Sequence, residues 1–105
     1  MIPDPGLQLT TAVSAAFVTF AGTLEVEELV SRPWACVTLC GARHRFVLRI
    51  GGEGAAAAAD AFLDGVETHE FGLRGHFVAD IAIVEEVRAP REVRLTLEAL
   101  IVESG

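Results

Sequence analysis

The hydrophobic and polar positions alternate most cleanly near the C-terminus. Val93, Leu95, Leu97, Ala99 and Ile101 interleave with Glu92, Arg94, Thr96 and Glu98. That period of two describes a strand with one face in a core and one in water. Beyond it, Leu100 and Val102 make the second face apolar as well. The run His76–Val84 has the same period, with Phe77, Ala79, Ile81 and Ile83 on one side. A third alternating stretch runs from Trp34 to Ile50 and is broken by Gly41-Ala42. Glycine as first residue of a two-residue loop suits a type II′ hairpin, so the reversal is expected there. Pairing outward from it places Ala35, Val37, Leu39, His44, Phe46, Leu48 and Ile50 on the core face. Trp34, Cys36, Thr38, Cys40, Arg43, Arg45, Val47 and Arg49 fall on the opposite face.

The period changes after Gly51-Gly52. Ala55–Ala59 is the best helix-forming run in the chain, and Ala55, Ala58, Ala59, Phe62 and Val66 form a narrow apolar stripe. Gly65 marks its end, and residues 68–75 read as a loop. The N-terminal third is less decisive. Residues 1–6 read as a lead-in. Val13, Phe17, Phe20 and Leu24 recur at helical spacing, but Thr10, Thr11, Val18 and Thr19 add to a β-branched and aromatic content that favours a strand over residues 7–20. Residues 23–31 satisfy both periods, and Pro33 closes whichever element they form.

The expected fold is therefore α+β, with an antiparallel sheet of about five strands and one or two helices on one face. If residues 23–31 are helical, the order becomes β-α-β-β-α-β, the ferredoxin-like plan, with residues 91–103 as an added strand. A chain of 105 residues forms one domain around one core. No internal repeat is visible.

Composition narrows the function. Eight arginines against 15 acidic residues give a net charge of −7, which opposes nucleic-acid or anionic-membrane binding. Hydrophobic content of 51% is high for a soluble domain and suggests surface covered by a second copy. Lysine, tyrosine and asparagine are absent, as expected for a GC-rich, bacterial genome. The start Met1-Ile2-Pro3-Asp4-Pro5 lacks the features of a signal peptide, so a cytoplasmic location is the default. On one predicted strand, Cys36 and Cys40 would lie about 13 Å apart. A disulfide needs less than about 7 Å, so free thiols are expected.

Several constellations evoke chemistry. Cys36, Cys40 and His44 have four-residue spacing, but the predicted register separates the thiols and turns His44 away, so no metal site is expected. His69, Glu70 and His76 are loop residues able to serve as acid and base, although Leu73 occupies the position a His-Glu-x-x-His helix requires. Ile50-Gly51-Gly52-Glu53-Gly54-Ala55 resembles a phosphate cradle in outline, yet Glu53 sits where the anion would. No cofactor is expected. Arg43, Arg45 and Arg49 line one strand face; they suit a small anionic ligand, or else pair across strands with Glu25, Glu27, Glu92 or Glu98.

The leading expectation is a non-catalytic module acting through self-association or by joining a partner protein, with a dimer favoured. Its surface would be the sheet face carrying Trp34, Val47, Leu100 and Val102 beside the arginines. Burying about 300 Å² of apolar surface there would contribute on the order of 7 kcal/mol before association costs. A sensor for an anionic metabolite at Arg43, Arg45 and Arg49 is the alternative. A small enzyme using His69, Glu70 and His76 is the weaker one.

Overall fold

A computed structural model describes residues 4–66, 69 and 71–103. Helix α1 (Pro5–Ala15) precedes strands β1 (Thr23–Ala35) and β2 (Cys40–Gly51). Helix α2 (Ala55–Leu63) leads into β3 (His76–Ala89) and β4 (Glu92–Glu103). The α+β class with an antiparallel sheet is as expected, but the described sheet has four strands, in the order β1-β2-β4-β3. Two α-β-β units thus meet with their second strands side by side. The sequence shows no trace of that repetition.

The ferredoxin-like order is excluded because residues 23–31 are extended and belong to β1. Residues 5–15 are helical, where a strand was expected. The start of that helix is encoded in what reads as a lead-in: Asp4 caps it by accepting from the Gly6 N–H, and Pro5 occupies the first turn. Within the helix, the hydroxyls of Thr10 and Thr11 donate to the Leu7 carbonyl, and Ser14 donates to Thr10. Those bonds give small polar side chains partners inside the helix itself. Local strand preference then loses to burial, since Leu9 and Val13, one turn apart, are both fully buried.

Both helices cover the same side of the sheet. Leu9, Val13 and Phe17 join Ala55, Ala59 and Phe62 over Phe46, Leu48, Ile50, Leu95 and Leu97 in one cluster. Phe17 lies 5.2 Å from Phe62, ring centre to ring centre. Gly54, with φ of 83°, makes the turn into α2 in the left-handed region that only glycine enters cheaply. Arg88 binds Asp60 at 2.7 Å and Glu86 at 2.9 Å, tying α2 to the end of β3.

The strands are long, 12 to 14 residues, and the molecule measures 46 × 23 × 23 Å. The β1–β2 turn extends beyond the helices. It is formed by Cys36–Leu39, closed by the Cys36 N–H on the Leu39 carbonyl at 2.8 Å, and not by Gly41-Ala42 as expected. Gly41 lies within β2, opposite Trp34 and Val102. The displaced turn also overturns the inward placement of Ala35, Val37 and Leu39: Ala35 is exposed, Val37 is 101% exposed and Leu39 42%. Cys40 belongs with the His44–Ile50 set and not with the arginines. The alternation along β2 itself stands: His44, Phe46, Leu48 and Ile50 are buried, and Arg43, Arg45 and Arg49 point the other way.

Candidate functional site on the helix-free face

Strand register arranges the uncovered face as rows across the sheet, in the order β1, β2, β4, β3. The row nearest the turn is Trp34, Gly41, Val102 and Phe77; the register shift between Val78 and Asp80 turns Phe77 onto this face, away from Ile81 and Ile83, with which the alternation groups it. Next come Arg32, Arg43, Leu100 and Asp80, and then Val30, Arg45, Glu98 and Ala82. Directly opposed residues on a pleated sheet share a face, so each row is a line of neighbouring side chains. Of the expected apolar surface, Trp34, Leu100 and Val102 are brought together here with Arg43, but Val47 and Val102 are buried within the single chain by their neighbours on the sheet and are not left exposed as expected. Val102 is buried and Trp34 half-buried, while Phe77 stays 43% exposed and Val30 54%.

The arginines divide into two groups. Arg49 stands apart, held by Glu25 at 2.6 Å, Glu92 at 3.5 Å and Glu27 at 3.7 Å. Arg45 pairs with Glu98 at 3.4 Å. Both therefore make the cross-strand pairs that were the structural alternative to ligand binding. Arg43 differs: it faces Arg32 directly, and among the described residues no acid lies within ion-pair distance of either. Opposed like charges in a sheet oppose folding by a few tenths of a kcal/mol or more. A depression of about 450 Å³ lined by Val30, Arg32, Arg43, His44, Arg45 and Glu98 opens between them. Arg32 was missed in the sequence because the turn was placed at Gly41, which pairs Arg43 elsewhere.

The same register creates a second cluster, on the helix side. Ser31 faces His44, and its hydroxyl oxygen lies 2.6 Å from Nδ1. His44 is 2% exposed, and its Nε2 is buried with no hydrogen-bond partner among the described residues. A serine–histidine contact is a fragment of nucleophilic chemistry, but the carboxylate that would orient the ring on its other nitrogen is missing from those residues. Burial lowers the His44 pKa; the Asp4 carboxylate opposes this and His76 reinforces it. Because the folded chain binds this proton less readily than the unfolded chain, His44 adds stability above about pH 6.5 and loses it as pH falls. The difference in urea midpoint between wild type and His44→Gln should therefore shrink from pH 7.5 toward about pH 5. A gap independent of pH would show that the His44 pKa is the same in the folded and unfolded chain, so that burial does not lower it.

The loop residues are not gathered. His69 packs edge-on against Phe71, with ring centres 4.6 Å apart, and lines an apolar groove beside α2. His76 instead starts β3, where Nδ1 lies 3.0 Å from the Arg74 carbonyl oxygen. Glu70 lies outside the described residues. Among the described residues, no group of three or more histidine, cysteine, aspartate or glutamate side chains is placed to hold a metal ion. Both cysteines are free and exposed, though they flank a turn and do not share a strand. Their thiols differ. The Thr38 and Leu39 N–H groups lower the Cys36 pKa, whereas a hydrogen bond to Glu103 raises that of Cys40.

No protein-family model matches the chain, and no curated protein matches its sequence. Its fold is similar to that of a chain in a solved structure, the virion of a native gene transfer agent particle. The TM-score is 0.61 at 21% identity, over 91% of this chain and 90% of that one. At that identity the likeness is one of fold, and it spans nearly the whole of both chains.

Proposed function

We propose that this protein is a non-catalytic assembly subunit that works by binding further copies of itself within a multi-subunit particle. The observation that carries this reading is the uncovered sheet face. One side of the sheet is covered by two helices, while the other presents Trp34, Leu100 and Phe77 beside Arg32 and Arg43, which have no acid within ion-pair distance among the described residues. Apolar side chains with neighbouring charges are the composition of a protein–protein contact. The end-to-end likeness of fold to a chain of a gene transfer agent virion supports the same reading, since that chain belongs to a particle of many subunits.

Sedimentation across the micromolar range tests it. The mass should rise with concentration above the 11.2 kDa of a single chain. An unchanging monomer throughout would refute self-association.

A further inference from the structure

We infer that two copies of this chain pack uncovered face to uncovered face about a two-fold axis parallel to the strands, so that Arg32 of each meets Asp80 of the other. This rests on the self-association proposed above and goes on to specify the contact. Such an axis carries β1 over the partner's β3 and β2 over its β4, and leaves height along the strands unchanged. Each row is then laid on its own reverse. In the second row, Arg32 comes over Asp80 and Arg43 over Leu100. In the third, Arg45 comes over Glu98, and in the first, Trp34 over Phe77. Every one of these contacts occurs twice.

Two other arrangements fit less well. A two-fold axis across the strands would lay β3 on β3, whose outer side carries Asp80 and Glu85 with no cation. Edge-to-edge pairing would use β1 or β3, and both edges are interrupted. β1 has a bulge with Glu28 at φ 54°, followed by Pro33, and β3 has two register shifts. Irregularities of this kind on edge strands discourage sheet extension.

The rows farther from the turn explain where contact ends. There Glu27 would meet Glu85, and Arg49 would meet Arg94. Stacked sheets cross at about 30° some 10 Å apart, so contact centred near the turn lets these like-charged rows diverge. They also count against any sliding of one face along the other.

Charge reversal tests the arrangement. Arg32 and Asp80 are exposed strand residues, and neither has an ion pair within the described subunit. Arg32→Asp or Asp80→Arg alone should weaken self-association at least about tenfold, because each creates two repulsive contacts. An equimolar mixture of the two single variants should associate again as mixed pairs, and the double variant should recover self-association. Neither rescue can come from misfolded chains, and circular dichroism of each variant checks folding directly. A monomeric wild type would overturn both this arrangement and the assembly reading beneath it. A wild type that associates, with reversals that do not weaken it or a mixture that does not restore it, would overturn the arrangement alone.

Discussion

Phe46→Ala should lower the free energy of unfolding by about 3–5 kcal/mol. Phe46 has no exposed surface, sits in the central strand β2 opposite Leu97, and belongs to the cluster under both helices. Truncation removes a whole ring from a site bounded by two strands and a helix layer, where little can move in to fill the void. A domain of this length has about 5–15 kcal/mol in total, so much of its margin would go. Urea denaturation gives the measure: the midpoint should fall sharply with its slope unchanged. A loss below about 1 kcal/mol would mean that the helices do not seal this face.

Gly41→Ala should be the most damaging substitution outside the core, costing about 3 kcal/mol, at the upper end for overpacking. A Cβ at Gly41 would collide with the Ile101 carbonyl oxygen and lie 2.8 Å from Val102 Cα. These are backbone atoms of β4, so no side-chain rotation relieves the clash. The strands must separate near the turn, where Trp34, Val102 and Phe77 form the first row of the proposed contact. The variant should therefore lose melting temperature and self-association together. Amide exchange should rise first around residues 100–103. A variant that melts like wild type would show that β2 and β4 do not approach closely there.

Gly41 also shows how a correct residue can carry a wrong inference. Glycine in a strand can signal either a turn or a close backbone approach, and both leave the same letter in the sequence. Here it serves the second role. The true turn, Cys36–Leu39, contains none of the residues that usually mark one. Because strand sides alternate with every residue, the misplaced turn left the two sides of β2 intact from Arg43 onward and kept Trp34 with Arg43, but it put Cys40 on the wrong side. It did change partners. Ser31 against His44 and Arg32 against Arg43 both follow from the observed register, and neither was legible beforehand.

The helix α1 was hidden for a different reason. Thr10, Thr11 and Val13 weigh toward a strand when averaged over a window, while the cap at Asp4-Pro5 is a short signal at its edge. Propensities of a few tenths of a kcal/mol per residue decide little once Leu9 and Val13 can be buried on a sheet.

The chain's own order of residues was enough for the α+β class, the alanine-rich second helix, and the inner and outer sides of β2 and β4. Each of these is local, written in periods of two or of about 3.6 that the backbone imposes on neighbouring side chains. Strand order, the position of the first turn and the pairing of unlike segments came only with the folded chain. They depend on contacts between residues far apart, where many registers satisfy the same local pattern and the close packing of a single core selects one.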